Sequence, residues 1–159
     1  MAQSVTLVAA TGTLTFSADP VATDTVTIGG ITYTYIATPA AAYDVDVAGT
    51  RAGSITNLIA AINRSGTPGA TTYHADTVQH PAVSAAEGAG DTAVITARFP
   101  GTIGNTVETA TSETDITFGA ATLTGGTGVF ADALQNIIDE NQVNSEVIAE
   151  LNDLLAYND

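Results

Sequence analysis

Residues 24–36 have the sequence Asp24-Thr25-Val26-Thr27-Ile28-Gly29-Gly30-Ile31-Thr32-Tyr33-Thr34-Tyr35-Ile36. Apolar and threonine side chains alternate on both sides of the Gly29-Gly30 pair, as they do in two strands that each bury one face. Two adjacent glycines readily adopt the positive φ angles of a two-residue hairpin turn. The stretch therefore predicts a β-hairpin whose buried face carries Val26, Ile28, Ile31, Tyr33 and Tyr35.

Shorter stretches of alternating apolar and polar residues predict further strands. They lie at 13–16, 44–47, 72–75, 82–85 and 93–98, with weaker ones near 106–111 and 115–118. Glycine and proline concentrate between these stretches, at 99–105 and again at 125–128. Both glycine-rich segments predict turns, because such residues interrupt regular structure.

One segment between the strands has helical periodicity. Its apolar residues recur every three or four positions, at Ile55, Leu58, Ile59 and Ile62. Ser54 is a good N-cap, and Gly66 is a typical helix terminator. We predict an amphipathic helix at about 54–65 that packs Leu58, Ile59 and Ile62 on the sheet and turns Asn57 to the opposite face.

The glycine-rich segment 125–128 marks a change in composition, since helix formers dominate beyond it. Two apolar stripes follow, formed by Phe130, Ala133, Leu134, Ile137 and Ile138, and by Val147, Ile148, Leu151, Leu154 and Leu155. We predict an N-terminal arm at 1–12, a β-rich domain at 13–128 and an acidic amphipathic helical tail at 129–159. The predicted fold class is α+β, mainly β, with antiparallel sheets or a sandwich, one packed helix and the helical tail.

The charge is strongly one-sided, with 17 acidic residues against three arginines and no lysine. A net charge of −14 is typical of disordered segments, but 45% of the residues are apolar and only 13% are charged, so the chain can bury a core. The field of such a surface repels nucleic acid and anionic membranes and attracts basic protein surfaces or cations. We therefore expect no direct nucleic-acid binding and no membrane binding.

Cysteine is absent, which excludes disulfides, a thiolate nucleophile and cysteine-ligated zinc. No apolar run reaches the roughly 18 residues of a membrane span. The first residues have neither the basic nor the apolar region of a secretory signal. We expect synthesis in a cytoplasm.

The histidines and the paired carboxylates are the candidates for a chemical site. His74 and Asp76 would share a strand face, but His74 and His80 lie six apart in a turn-rich stretch without a third spaced ligand. Both histidines are therefore expected to be polar loop or strand-surface residues. Asp44 and Asp46 point to one side of a strand, where they could hold a hard cation or simply be solvated. Glu87 and Asp91 form a second carboxylate pair without a supporting motif.

Motifs for catalysis and phosphate binding are missing. No Gly-x-Ser-x-Gly elbow singles out a nucleophile, and neither glycine-rich segment has the Lys-Ser/Thr or the helix of a phosphate loop. The sequence predicts no catalytic, cofactor-binding or metal-binding residue and no cofactor. Whether Asp44 and Asp46 bind a cation is left open.

The region from about Gly12 to Thr111 carries a series of motifs in a distinctive order. They are Gly12-Thr13-Leu14-Thr15-Phe16, the hairpin, Ile55-Thr56-Asn57-Leu58-Ile59-Ala60-Ala61-Ile62-Asn63, His80-Pro81-Ala82-Val83-Ser84-Ala85 and Ile95-Thr96-Ala97-Arg98-Phe99-Pro100-Gly101-Thr102-Ile103-Gly104-Asn105. This series resembles a β-rich domain found in virion structural proteins of tailed bacteriophages, in both head and tail. The resemblance implies a non-enzymatic part of a phage particle and does not extend to 129–159.

Three functions are compatible with that resemblance. The favoured hypothesis is a capsid decoration (cementing) protein, a homo-oligomer and most simply a trimer, that binds the major capsid protein or another virion protein on the outside of the head. A tail tube subunit is the second, because an acidic lumen would not retain DNA. The third is a receptor- or carbohydrate-binding tip module, which the scarcity of aromatic residues disfavours. An enzyme is the last alternative.

Overall fold

A computed structural model of the protein describes residues 6–129 and, beyond them, residues 135, 138, 145–147 and 149. Within residues 6–129 the chain is mainly β, as predicted, with one α-helix, α1, at Arg51–Asn63 and a 3₁₀ helix at Thr102–Thr106. The strands are β1 Thr11–Phe16, β2 Thr25–Ile28, β3 Ile31–Ile36, β4 Asp44–Asp46, β5 Val83–Glu87, β6 Thr92–Ala97, β7 Thr109–Thr111 and β8 Ile116–Phe118. The six described residues beyond Val129 are helical.

The strands form two four-stranded sheets, ordered β5-β6-β1-β8 and β4-β3-β2-β7. Every pairing is antiparallel except that of β3 with β4, which is parallel. Alternation along β1 buries Leu14 and Phe16, and alternation along β3 buries Tyr33 and Tyr35. The rings of Phe16 and Tyr35 meet edge to face across the sheets, with centroids 6.3 Å apart. The apolar faces of the two sheets therefore share one core, which confirms the sandwich.

The predicted hairpin is confirmed in strand register and in turn geometry. Thr25 pairs with Thr34 and Ile28 pairs with Ile31, so that the chain reverses at Gly29 and Gly30. Their φ angles are +53° and +81°, both in the left-handed region that glycine adopts without strain.

Gly29→Val is expected to destabilise the protein by about 1–2 kcal/mol, because a β-branched side chain is strained at positive φ. Thr27→Val is the matched control, since it introduces the same residue on the adjacent strand. It removes only the exposed hydrogen bond between the hydroxyl groups of Thr27 and Thr32, whose oxygens are 2.9 Å apart. Thermal melting of both variants checks the prediction, and equal melting temperatures would contradict it.

The helix begins one turn earlier than predicted. Thr50, with extended backbone angles, is the N-cap, and its hydroxyl accepts a hydrogen bond from the Gly53 amide at 3.2 Å. Ser54, the predicted cap, is instead buried in the helix and donates its hydroxyl to the Val47 carbonyl oxygen. Gly53 lies in the first turn because a Cβ there would come within 2.9 Å of the Ala48 Cβ. Close packing, and not a break in the helix, accounts for this glycine.

The end of the helix and its polar face also differ from the prediction. The helix ends at Asn63, and its C-cap is Arg64 in the left-handed conformation, two residues before the predicted terminator Gly66. Leu58 and Ile62 are buried as predicted, and Ile59 is half-buried. Asn57 does not face solvent: it is buried, and its side-chain amide donates to the carbonyl oxygens of Asp46 and Thr71, each at 3.2 Å.

The helix covers one open side of the sandwich. It contacts β4 at the edge of one sheet and β5 at the edge of the other, while β7 and β8 meet at the opposite edges. The Asn63 side chain forms two hydrogen bonds with the backbone of Ala85 on β5, at 2.6 Å to its oxygen and 3.0 Å from its nitrogen. The side-chain amide thereby occupies the backbone hydrogen-bonding groups of Ala85 that a further strand would use. This protects that edge from pairing with another chain.

Other elements shift by a few residues or are reduced. The predicted strand at 72–75 is only a single bridge between Tyr73 and Val45. Within the predicted arm, Val8 and Thr11 pair with Thr127 and Thr124, next to the start of the tail. Residues 1–5 and most of the predicted tail stripes lie outside the described residues. Of the stripes, the structure describes Ile138 and Val147, both exposed.

Candidate functional site

His80 is buried, contrary to the expectation of a polar surface residue. Its Nδ1 accepts hydrogen bonds from the amides of Ala82 and Val83, at 3.1 and 3.2 Å. This assigns the ring proton to Nε2, which donates to the Ile28 carbonyl oxygen at 2.9 Å. The neutral imidazole thus joins the hairpin turn to the start of β5.

The same environment disfavours a charged ring. Burial lowers the pKa of His80 below its usual value, the hydrogen bond to Ile28 acts in the opposite direction, and nearby Arg98 lowers the pKa again. The backbone of His80 is also engaged, because its amide donates to the Ile62 oxygen at 2.9 Å and its oxygen accepts from Arg98 Nε at 3.1 Å. His80 is therefore a structural residue that connects four parts of the fold.

His74 and Asp76 lie together at a turn and not on the face of a strand, as their spacing had predicted, and they form no metal centre with His80. The Nδ1 of His74 is 3.8 Å from Asp76 Oδ2 and accepts the Asp76 amide at 3.2 Å. Nowhere in the described residues do three or more His, Cys, Asp or Glu side chains come together as metal ligands.

The candidate carboxylate pairs serve the backbone and neighbouring side chains. Asp44 Oδ2 accepts the amides of Ala40 and Ala41 at 2.9 and 2.8 Å, and Asp46 Oδ2 accepts the Ala48 amide at 3.0 Å. Each carboxylate therefore accepts hydrogen bonds from the backbone of its own loop. Glu87 Oε1 accepts the Thr56 hydroxyl at 3.0 Å, and Asp91 pairs with an arginine. Glu87 and Asp91, the second candidate carboxylate pair, therefore have separate partners.

Arg51 holds the start of the helix in place. Its Nη1 is 3.1 Å from Asp91 Oδ2 and donates to the Ser17 oxygen at 3.1 Å, while its Nε is 3.5 Å from Asp19 Oδ1. The same Asp19 oxygen accepts the Arg51 amide at 2.9 Å. Because Arg98 is bonded to the His80 carbonyl, two of the three arginines serve internal contacts.

The two glycine-rich segments pack against each other. The Asn105 side chain donates to the Gly126 oxygen and accepts the Gly126 amide, both at 2.9 Å. A Cβ on Gly126 would lie 2.5 Å from the Gly101 oxygen, and one on Gly101 would lie 2.7 Å from the Gly128 oxygen. The Pro-Gly-x-x-Gly-Asn motif is thus a backbone-to-backbone clamp on the segment that leads into the tail.

This clamp presents apolar side chains to solvent. Phe99 is 65% exposed, Ile103 is 60% exposed and Val129 is 45% exposed. Together they border an open groove of about 720 Å³, hereafter the clamp groove, whose described lining is Phe99, Pro100, Gly101, Thr102, Ile103, Thr106, Gly128 and Val129. The described lining carries no charged side chain. Its chemistry therefore suits an apolar protein surface and offers no group for acid–base catalysis.

Sequence reasoning missed the clamp groove because it classified 99–105 only as turns. The available signal was the presence of Phe99 and Ile103, two large apolar residues outside any strand or helix periodicity. Such residues in a loop either fill the core or remain exposed, and only the tertiary structure distinguishes the two.

Comparison with known proteins adds no assignment. No protein-family model matches the chain, and no curated protein matches it. Among the described residues, no helix has the length and apolar character needed to cross a membrane.

Proposed function

We propose that this chain is a capsid decoration protein, a non-enzymatic structural protein that binds the outside of a tailed-phage head as a homo-oligomer, most simply a trimer. It would be made in the host cytoplasm and reside in the virion. Its partners would be the major capsid protein or another virion protein. The starting point is the resemblance of residues 12–111 to phage virion domains.

The observation that carries this proposal is the clamp groove. One part of its lining, Phe99 to Ile103, also belongs to the motif series that resembles the phage domains. Large apolar side chains that cluster on a surface typically mark a protein contact. The backbone between Phe99 and Ile103 packs closely on Gly126 at Gly101, so little backbone order is lost when a partner binds.

The net negative charge of the chain favours a binding partner with a basic surface. The net charge is −14, and Arg51 and Arg98 are engaged in internal contacts. The field around such a protein accelerates encounter with a positively charged lattice. We expect apolar contacts at the clamp groove to provide most of the affinity, and the surrounding carboxylates to provide steering that weakens as salt is added.

Phe99→Asp is expected to weaken binding to phage heads by at least about tenfold, because a charge would replace an anchoring apolar side chain. Val78→Asp is the matched control: Val78 is 56% exposed and lies outside the described groove lining. Purified variants are added to heads of a phage deleted for this gene, and bound protein is measured after sedimentation. Circular dichroism establishes that both variants remain folded.

Equal binding of the two variants would contradict a docking role for the clamp groove. Location is tested separately, by gold-labelled antibody against the chain on intact virions. Label over the head supports decoration. Label along the tail would instead support the tube subunit, and label at a fibre end would support the receptor-binding module.

A further inference from the structure

A third segment joins the two glycine-rich segments of the clamp. Residues 7–10, hereafter the strap, are bonded to both of them. The Gly101 amide donates to the Val8 oxygen at 2.8 Å, and Val8 exchanges two backbone hydrogen bonds with Thr127, at 3.0 and 3.2 Å. The strap therefore links the two segments in addition to the direct bonds between them.

Leu7 of the strap contacts the same two glycines that line the clamp groove. A Cβ on Gly128 would lie 2.8 Å from Leu7 Cδ2, and a Cβ on Gly101 would lie 3.6 Å from the same atom. Both glycines belong to the described lining of the groove, and both have positive φ angles, +101° at Gly101 and +83° at Gly128. The shape of the groove at these two positions therefore depends on the strap.

Ala10 fills a niche between the two glycine-rich segments. It is fully buried, and Cβ atoms added to Gly104 and Gly126 would lie 2.9 and 3.2 Å from the Ala10 Cβ. The Ala10 oxygen also accepts the Ala97 amide at the end of β6, at 2.9 Å. Because backbone borders the niche on both sides, a larger side chain at position 10 would keep the strap out of the clamp.

The strap is held by few buried side chains. Ala10 is its one buried residue, and Val8 is 44% exposed. Segments with few buried apolar contacts open at a lower free energy than the core of the same domain. The strap can therefore leave the clamp while the two sheets stay folded. The Gly101 amide and both backbone groups of Thr127 then lose their partner.

We propose that the clamp groove binds its partner only while the strap is seated, so that the strap is a conformational switch for docking. When the strap leaves, the segment between Phe99 and Ile103 loses the hydrogen bond at Gly101 that fixes its position. A partner that fits the groove selects the seated state, and its binding in turn holds the strap closed. This inference rests on the docking role in the proposed function, but the opening of the strap is measurable without any partner.

Hydrogen exchange of the full-length chain, followed by NMR, measures the opening. The amides of Val8, Gly101 and Thr127 report on the strap, because its release breaks the hydrogen bond of each. The Tyr35 amide, bonded to the Asp24 oxygen at 2.8 Å, is the reference in the core. We expect the three strap amides to share one protection factor, at least about tenfold below that of the reference.

Nile red, a neutral apolar dye, is the probe of the groove. The wild type should bind it and Phe99→Asp should not, which assigns the fluorescence to the groove. Ala10→Leu should lower the affinity for the dye by at least about tenfold and remove the protection of the three strap amides. Ala86→Leu makes the same change at an exposed position of β5 and should bind the dye as the wild type does.

A second pair of variants covers the case in which Ala10→Leu also unfolds the sheets, which loss of protection at Tyr35 would reveal. Leu7→Ala removes the contact with the groove glycines without adding bulk, and should weaken dye binding by at least about threefold. Val8→Ala is its matched control, because the Val8 side chain is exposed and the backbone hydrogen bonds of this residue remain.

Strap amides as well protected as the Tyr35 amide would overturn the proposal, and so would a wild type that does not bind the dye. Equal dye binding by Ala10→Leu and Ala86→Leu, or by Leu7→Ala and Val8→Ala, would also overturn it. A wild type that behaves as expected with the dye but does not bind phage heads would refute decoration and leave the strap switch intact.

Discussion

Replacing His80 with Leu is expected to lower the free energy of unfolding by about 3 kcal/mol, because two buried backbone groups and one part-buried group lose their partner at about 1 kcal/mol or more each. These groups are the Ile28 oxygen and the amides of Ala82 and Val83. Urea unfolding measures the change. His74→Leu is the matched control and should cost less than about 1 kcal/mol, since His74 contacts the exposed carboxylate of Asp76.

A second variant separates the hydrogen bonds from the volume of the ring. His80→Asn places an amide oxygen near the position of Nδ1, where it can accept the Ala82 and Val83 amides as in an Asx turn. We expect an intermediate loss of stability, because only the bond to Ile28 disappears. Equal destabilisation by His80→Leu and His74→Leu would contradict the structural role of His80.

His80 should also produce an acid dependence of stability. Its folded pKa is lowered, so as the pH falls through about 6.5 the unfolded chain takes up a proton that the folded chain does not. The contribution of His80 is fully present above that pH and declines on acidification towards the folded pKa. His80→Asn should remove this dependence between about pH 5 and 6.5, above the range in which ordinary carboxylates titrate.

Leu58→Ala is expected to cost about 2–5 kcal/mol, the range measured when a buried leucine leaves a cavity. Leu58 is fully buried on the face of the helix that packs on the sheets. Asn57→Ala is not a neutral control, because it would leave the carbonyl oxygens of Asp46 and Thr71 without their donor.

Thr56→Ala is the appropriate control for Leu58→Ala. Thr56 is exposed on the same helix, and alanine has the higher helix propensity. The change removes hydrogen bonds to the Ala52 oxygen and to Glu87 Oε1, both at 3.0 Å and both exposed. We expect its midpoint in urea to stay close to that of the wild type. A midpoint for Leu58→Ala equal to that of Thr56→Ala would refute the assigned packing face.

Local sequence patterns correctly predicted those structural features that depend on residues close together in the chain. The hairpin was correct in register and turn because the alternation from Val26 to Tyr35 and the Gly29-Gly30 pair act within a few residues. The helix was correct in type but displaced at both ends. Ser54 has the chemistry of a cap, yet Thr50 caps the helix, and the position of Asp19 at the Arg51 amide depends on tertiary folding.

The sequence does not determine whether a polar side chain is buried or exposed when both environments are plausible. Asn57 and His80 are polar, and polarity predicts exposure unless a partner is available inside the protein. Their partners, the carbonyls of Asp46 and Thr71 and that of Ile28, belong to other elements. The separation of the His74 and Asp76 pair from His80 was likewise decided by packing.

By itself, the sequence determined a folded, mainly β, strongly acidic chain without cysteine chemistry, because composition and short-range periodicity set the balance of burial and charge. Only the tertiary structure decided that two glycine-rich segments clamp each other, that this clamp exposes Phe99 and Ile103, and that His80 lies in the interior. The physical reason is that backbone packing and hydrogen bonding between residues 20 or more positions apart depend on the arrangement of whole elements, for which no local pattern in the chain is diagnostic.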